Sequence, residues 1–285
     1  MLITIGKPCA VCEKGGRANN EDCVYPVSEC ADSDQRLFLV CDGVGGAARG
    51  EIASALACDA IQTYFATFLD NEDPTAEFIQ QAVHYTETRF DAYIQEHPEA
   101  IGMATTLTLA YIGKKGLTLA HIGDSRIYYI RNGQALYRSE DHSLVNSLVN
   151  LGRITPEEAR VHPQRNQILR AIQGSHAPTE AEVIQWQDIQ SGDWLFLCSD
   201  GILERFDDPQ LLQQFIRTDS PAEIKDHILE ACEGNTRDNY SFYLIPLHKS
   251  EGNARLRQNI LSFLYSYAEN NYLWQINQRL NDYGA

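Results

Sequence analysis

The chain has 285 residues, 44% hydrophobic and 22% charged, which is ample for a core and the wrong balance for wholesale disorder. Its net charge of -16 argues against a nucleic-acid binder, which needs a basic face, and suits a site that gathers cations. No apolar run approaches the ~20 residues of a membrane helix, and "MLITIGKPCAVCEKGG" has neither the basic start nor the apolar stretch of a signal peptide, so a reducing, cytoplasmic setting with free thiols is expected for the 8 cysteines.

In chain order, strands are predicted in "LITIGKPCAVC", "EDCVYPVSE" and "QRLFLVCD". Cys9 and Cys12 form a C-x-x-C, with Cys23 and Cys30 downstream. Residues three apart in a strand point to opposite faces, so buried thiols are favoured over a zinc site. A glycine-rich turn leads into a helix from about Ala48 to Leu69, with Ile52, Leu56, Ile61, Tyr64, Phe65 and Phe68 at helical spacing. A second helix, from about Pro74 to Glu96, puts Ile79, Val83, Phe90 and Ile94 on one face. Strands return in "ATTLTLAYIG", "GLTLAHIGD" and "RIYYIRNGQALYR", the last folded at Asn-Gly, which accepts the positive φ of a tight hairpin. From Ser139 to Gly174 the pattern breaks. This stretch holds a short helix, "SLVNSLVNLG", then a capping box at Thr155 and Glu158 with Pro156 at the first helical position. It is too long for a plain loop and reads as a flap, with Leu144, Val145, Leu148, Val149 and Leu151 as an apolar underside. "DWLFLCSDG" is strand, "DPQLLQQFIRT" and "SPAEIKDHILEACEG" are helices, the latter with a capping box at Ser220 and Glu223, and "DNYSFYLIPL" is the last strand. Beyond it "HKSEGNA" reads as linker. An amphipathic helix follows, whose stripe (Leu256, Ile260, Leu264, Ile276) must pack on the catalytic domain, a second copy or a partner. Few strands are separated by single helices. The expected fold is therefore α+β, two antiparallel sheets stacked face to face with a helix pair on each outer side.

Two apolar runs end in Asp-Gly, at Asp42 and Asp200, and two more strands abut Asp124 and Asp238. Glu21 and Asp22 sit in "RANNED". Carboxylates that cluster repel one another unless protons or cations neutralise them. With no cysteine-histidine pattern close by, an all-oxygen donor set points to Mg²⁺ or Mn²⁺ rather than Zn²⁺. Gly43 lets its carbonyl turn toward a metal, and Gly45 and Gly46 let the chain leave. Paired ions roughly 3.5–4 Å apart acidify a shared water and polarise a phosphoryl oxygen. Arg17 can grip two phosphate oxygens at once. Each part also has a plainer reading. A lone Asp-Gly is a turn, Arg17 a surface charge, Arg126 the partner of a structural carboxylate, and His142 and His162 structural histidines.

The combination "GGRANNED", "VCDGVGG", "MATTLTLAYI", "LAHIGDSRIYYIRNG", "DHSLVNSLVNLGRITPEEARVHPQRNQILRAI", "LFLCSDGI" and "TRDNYSFYLI", in this order, resembles the metal-dependent protein phosphatases of the type-2C serine/threonine class, bacterial branch. The resemblance covers roughly residues 1–247 and implies a four-layer α-β-β-α sandwich with a flap at about 140–175. Residues 248–285, linker and helical extension, have no counterpart in the minimal catalytic domain. It implies two Mn²⁺ or Mg²⁺ ions. Asp42 would bridge them, Gly43 would give a carbonyl to the first, and Asp200 and Asp238 would hold the second. Asp124 with Asp200 would form a weaker third site. Glu21 and Asp22 would hydrogen-bond metal-held waters, Asn239 would orient this shell, and Arg17 would hold the phosphate. Hydrolysis of phosphoserine and phosphothreonine in proteins, targets of a serine/threonine kinase, would be a single in-line attack by a water bridging the ions, with no phosphoenzyme. No nucleic acid or membrane is implied as partner. The resemblance departs at Val44, where many eukaryotic relatives carry a histidine general acid; metal-held water, His162 from the flap, or no group at all would then serve the leaving oxygen. Two alternatives stand beside it: a catalytically weak module that docks phosphoproteins, and a phosphatase of small phosphoesters.

Overall fold

In the strand Leu37–Val44, Leu37, Leu39 and Cys41 face one way and Phe38 and Val40 the other, and both sets are buried. A strand covered on both faces needs a layer on each side. The structure, a computed structural model, supplies those layers. It describes residues 2–27, 31–44, 49–68 and 73–250; Gly45, Gly46 and the predicted C-terminal helix lie outside the described residues. Among the described residues no helix is long and apolar enough to cross a membrane.

The elements are β1 (Leu2–Ile5), β2 (Cys9–Glu13), β3 (Asp22–Tyr25), β4 (Leu37–Val44), α1 (Gly50–Phe65), α2 (Ala76–Glu96), β5 (Ala104–Thr105), β6 (Leu107–Ile112), β7 (Leu117–Ile122), β8 (Arg126–Arg131), β9 (Gln134–Arg138), α3 (Leu144–Asn150), α4 (Pro156–Val161), β10 (Glu182–Trp186), β11 (Trp194–Cys198), α5 (Asp208–Arg217), α6 (Pro221–Cys232) and β12 (Tyr240–Ser250). One sheet runs β1-β12-β11-β8-β9 with β2 also on β12, and the other runs β10-β7-β6-β4-β3 with β5 on β4. Three apolar clusters define the layers. Ile127, Tyr129, Leu195 and Tyr243 meet Phe38, Val40 and Leu119 between the sheets. Leu39, Cys41 and Leu109 pack on Ala57, Ile61, Val83 and Phe90 of α1 and α2. Tyr128, Phe196 and Phe242 pack on Leu211, Phe215, Ile224 and Ile228 of α5 and α6. This is the expected sandwich flanked by helix pairs.

Several local expectations hold. Asn132 and Gly133 both take positive φ in the β8–β9 hairpin. Thr155 and Glu158 cap α4 reciprocally. Cys9 packs toward the α5/α6 layer and Cys12 toward the inter-sheet core, so the C-x-x-C is split between faces, and the seven described cysteines are free.

Others are corrected. β10 went unrecognised in the sequence; only Val183, Ile184 and Trp186 of it are even half-buried, because it is an edge strand beside β7. The packed face of α1 joins Ala53, Ala57 and Cys58, small residues that let helix and sheet approach, to Ile61 and Phe65 of the expected stripe, while Ile52, Leu56 and Tyr64 flank it. Ser220 accepts from the Glu223 N–H, but the reciprocal half of that capping box is missing, and the full box lies at Asp207 and Gln210. The last strand runs past the predicted linker boundary to Ser250, since the Lys249 N–H donates to Ser191 Oγ at 2.9 Å, so His248–Ser250 belong to β12. In the flap, Leu144, Val145, Leu148 and Val149 are half-buried, but Leu151 is 72% exposed and takes no part in the underside.

Candidate metal centre

Antiparallel pairing collects the acidic residues. The C-terminal end of β4 lies beside the N-terminal end of β3, so Asp42 and Asp22 are register partners. β11 pairs with β8 at Cys198 and Arg126 and with β12 at Cys198 and Phe242. Continued by two residues, the first register sets Asp124 across from Asp200; the chain enters β12 just after Asp238. One edge of the sandwich therefore receives carboxylates from positions far apart in the chain.

The Asp-Gly pairs have a packing reason. A Cβ on Gly43 would collide with the Gly50 carbonyl oxygen and with that of Glu21, and one on Gly201 would collide with the Asn239 carbonyl oxygen. Backbone crosses backbone at both places, which only glycine permits. Asp42 is held by its main chain. Its N–H donates to Thr106 Oγ1 at 3.0 Å, and its carbonyl accepts from the Thr106 N–H at 2.8 Å and the Thr105 hydroxyl at 2.9 Å. Thr106 Oγ1 in turn meets Ser125 Oγ at 2.7 Å, beside Asp124. None of these bonds uses the Asp42 carboxyl, which meets the Asp200 side chain instead.

Asn239 organises the Arg17 loop. Its side-chain oxygen accepts from the Glu21 N–H at 2.8 Å, and its amide donates to the carbonyls of Lys14 and Asn19 at 2.7 and 2.8 Å. Arg17 donates to Asp238 Oδ2 at 2.7 Å. Asp22 is buried and accepts from the Ser199 hydroxyl at 2.7 Å at one oxygen; its other oxygen has no partner, and neither has Asp124 Oδ1. Ser199, Thr105 and Thr106 escaped the sequence reading, although "CSDG" and "MATT" carry them next to recognised positions.

The electrostatics describe an over-filled acidic site. Burial, then the neighbouring carboxylates, push Asp42 and Asp124 well above the carboxylate range. Burial pushes Asp22 up to about 7, against the hydrogen bond from Ser199, and Asp200 up to about 6, with Asp238 adding to the shift. Glu21 is raised too, mainly by burial. A cluster whose buried carboxyls hold their protons more tightly than usual, with unpartnered buried oxygens and only oxygen donors, fits hard divalent cations. His162 is not drawn in: its described hydrogen bonds stay inside the flap, one of them from the Gln164 N–H to Nδ1 at 3.1 Å. Arg126 is structural, on Asp141 and Asp208. Val44, beside Gly43, lines a cavity of about 440 Å³ whose other wall is the flap base at Ile168, Leu169 and Arg170.

These shifts have a testable sign. Each raised carboxyl holds its proton more tightly in the fold than in the unfolded chain, so stability from this cluster is present below pH ~4 and drains away as pH rises through about 7. A divalent ion takes the place of the protons. In thermal melts, Mn²⁺ should therefore raise Tm, relative to chelated protein, much more at pH 7.5 than at pH 5. Equal shifts at the two pH values would contradict the clustering.

A sandwich of this kind with an acidic edge and an arginine beside it is the architecture of a metal-dependent phosphatase. Residues 15–229 match the Protein phosphatase 2C family, and the chain belongs to it. It is 36% identical over 228 residues to the serine/threonine protein phosphatase PstP of Mycobacterium tuberculosis (strain CDC 1551 / Oshkosh), a match covering 78% of this chain and 41% of that protein, so it spans about two fifths of that relative's length. With the protein phosphatase PhpP of Streptococcus pneumoniae serotype 2 (strain D39 / NCTC 7466) it shares 33% identity over 242 residues, 82% of this chain and 94% of that protein. The crystal structure of the M. tuberculosis serine/threonine phosphatase PstP/Ppp superposes with a TM-score of 0.75 at 33% identity, covering 87% of this chain and 100% of that one. The PstP catalytic domain in complex with two manganese ions gives 0.73 at 31% identity, covering 87% and 100%.

Proposed function

We propose that this chain is a metal-dependent serine/threonine protein phosphatase that hydrolyses phosphoserine and phosphothreonine in proteins phosphorylated by a serine/threonine kinase. The observation that carries the reading is the convergence of Asp22, Asp42, Asp124, Asp200 and Asp238 on one edge, each within electrostatic reach of others, with Arg17 over Asp238. Two Mn²⁺ or Mg²⁺ ions, which the related PstP domain holds as manganese, would sit on Asp42, the Gly43 carbonyl, Asp200 and Asp238, with a weaker third site at Asp124 and Asp200. Such ions acidify a water and neutralise phosphoryl charge. The chain's own groups do the rest. Thr105 and Thr106 fix the Asp42 backbone so that its carboxylate meets the ions without reorganising. Glu21 and buried Asp22, which Ser199 orients, would accept protons from waters in the site. Asn239 pins the loop that carries Arg17. An incoming phosphate dianion would take the guanidinium from Asp238 and leave that carboxylate for metal. The free thiols of the described cysteines are in keeping with a cytoplasmic enzyme. The family match supports residues 1–247 as the catalytic domain, and we assign the rest to an accessory extension.

The direct test is Mn²⁺-dependent, chelator-sensitive release of phosphate from phosphoserine and phosphothreonine peptides. A chain that binds such peptides without turnover would be a docking module instead. An anchor that grips phosphate alike in ground and transition states acts on KM. Arg17→Ala should thus raise KM for phosphopeptides at least about tenfold, close to 1.4 kcal/mol, with a smaller fall in kcat and unchanged metal content. Loss of metal in this variant would make Arg17 a structural residue.

The flap separates protein substrates from small esters. The cavity between Val44 and the flap base is where a peptide chain beside the phosphoresidue would run. Removing Arg153 to Gln164 should cut phosphoprotein turnover several-fold while p-nitrophenyl phosphate turnover stays within about twofold, since a small ester does not need the flap. Equal losses on both substrates would assign the flap to the metal centre, and no loss on either would leave the substrate class to small phosphoesters.

A further inference from the structure

A second group of donors lies next to the Asp124 turn, and none of them is an aspartate of the acidic edge. His121 on β7, Glu182 on β10 and His142 at the root of the flap each offer one ligand atom, all within 4.8 Å of one another. The two imidazoles stack with centroids 4.5 Å apart, and His142 Nε2 lies 3.5 Å from a Glu182 carboxylate oxygen.

Hydrogen bonds fix the tautomers. His121 Nε2 faces the Glu140 carbonyl oxygen at 2.9 Å. A carbonyl only accepts, so Nε2 carries the proton and Nδ1 keeps a bare lone pair. Nδ1 is wholly buried and has no partner. This is how a metal-binding imidazole is usually held, one nitrogen tied to an oxygen and the other free. His142 Nδ1 accepts from the Gly123 N–H at 3.1 Å, so its proton is on Nε2, again buried and without a hydrogen-bond partner. The His142 N–H returns a bond to the Gly123 carbonyl at 2.9 Å, and the His142 carbonyl accepts from Leu169 at 2.7 Å. His142 thus latches the turn before Asp124 to the flap base.

We propose that His121, His142 and Glu182 form a metal site for a borderline transition ion of the Zn²⁺ class, and that filling it inhibits the enzyme by releasing the Gly123 latch. Two imidazoles and one carboxylate, with the fourth position open beside the half-exposed Glu182, are a donor set for Zn²⁺ and its neighbours rather than for Mg²⁺. The donors need to draw together to roughly 3.3 Å of one another around an ion at about 2.0–2.2 Å, which takes a turn of the half-exposed Glu182 side chain and a rotation of the rings out of their stack. The His142 Nε2 proton must leave to solvent. A neutral imidazole gives up its last proton far less readily than it exchanges one tautomer for the other, so a proton returns at Nδ1. Nδ1–H then opposes the Gly123 N–H, donor against donor, and the latch opens.

The inhibitory half rests on the phosphatase reading; the binding half does not. The test uses the full chain saturated with Mn²⁺, titrated with Zn²⁺, and read by bound zinc after dialysis and by p-nitrophenyl phosphate turnover. Wild type should take up one zinc beyond the Mn²⁺ complement and lose most of its activity, with no recovery as Mn²⁺ is raised. Glu182→Gln, outside the catalytic machinery and the latch, should keep its basal rate and require at least tenfold more Zn²⁺ for uptake and inhibition. His121→Gln should behave likewise. Uptake unchanged in Glu182→Gln, or inhibition that Mn²⁺ reverses, would overturn the site. Zinc uptake that depends on Glu182 but leaves turnover unchanged would overturn the inhibitory mechanism. Glu182-dependent uptake in a chain with no turnover at all would count against the phosphatase reading and leave the site standing.

Discussion

Asp42→Asn is expected to abolish hydrolysis of both p-nitrophenyl phosphate and phosphopeptides while the protein stays folded. Under the proposed assignment both ions lean on this one carboxylate, and an amide offers a single neutral oxygen that cannot serve two cations equally. The fold does not depend on it, since the Asp42 main chain is held by Thr105 and Thr106 through backbone and hydroxyl bonds. Removing one charge from a cluster that already resists ionisation should leave the metal-free protein as stable as wild type or more so. Circular dichroism and thermal melts in chelator check the fold, and metal content and kcat check the chemistry. Retention of more than about a tenth of wild-type kcat, a loss under roughly 1.4 kcal/mol, is too small for a shared ligand and would sink the assignment.

Arg126→Ala is expected to be the opposite kind of variant, costly to the fold through a group that is not a ligand. Arg126 grips Asp141 with two bonds of 2.7 Å, donates to Asp208 at 3.0 Å and to the Tyr128 hydroxyl at 3.2 Å, and Tyr128 itself donates to Asp208 at 2.7 Å. One guanidinium thus joins β8, the root of the flap and the start of α5. Its deletion leaves both carboxylates to Arg138 alone, which lies 3.2 Å from Asp208 and 3.8 Å from Asp141 and cannot replace the forked contact. Asp141 is well covered, so its loss is near the usual cost of breaking a buried pair, whereas Asp208, about a third exposed, contributes less. A total of about 3 kcal/mol, or roughly 6–12 °C in Tm for a domain of this size, is expected. Arg126→Lys should recover only part of it, because an ammonium cannot make the forked contact. A melt within about 2 °C of wild type would show that the network is exposed to solvent in practice.

The acidic edge was legible because its signal is chemical and local: an aspartate abutting an apolar strand is unusual four times in one chain, and the structure brings Asp42, Asp124, Asp200 and Asp238 within electrostatic reach of one another. The sheets were legible from runs such as "LFLVCDG" and "YLIPL". What stayed hidden has no period. β10 is half-exposed, so Glu182–Trp186 lacks the apolar run of the inner strands. Alanines in α1 carry no amphipathic signature, yet they make its contact with the sheet. Ser199 reaches Asp22 across 177 positions, and Thr106 reaches Ser125 across 19; hydroxyls this common become informative only when folding brings them beside a carboxylate. The His121–His142 stack depends in the same way on the flap returning to β7.

The acidic edge is assembled from residues as far apart as Asp22 and Asp238, and no short segment of the chain holds two of Asp42, Asp124, Asp200 and Asp238. An unfolded chain therefore offers metal no partial site to grasp. Under the proposed assignment ion binding would be coupled to the whole cooperative transition and not to a local motif, unlike the self-contained loops of small metal-binding modules. Every substitution that weakens the sandwich, however remote from the edge, lowers the concentration of competent sites and so weakens apparent ion affinity by mass action. Under the proposed assignment the cation would act as a gauge of global integrity, its contribution to stability spread over both sheets at once.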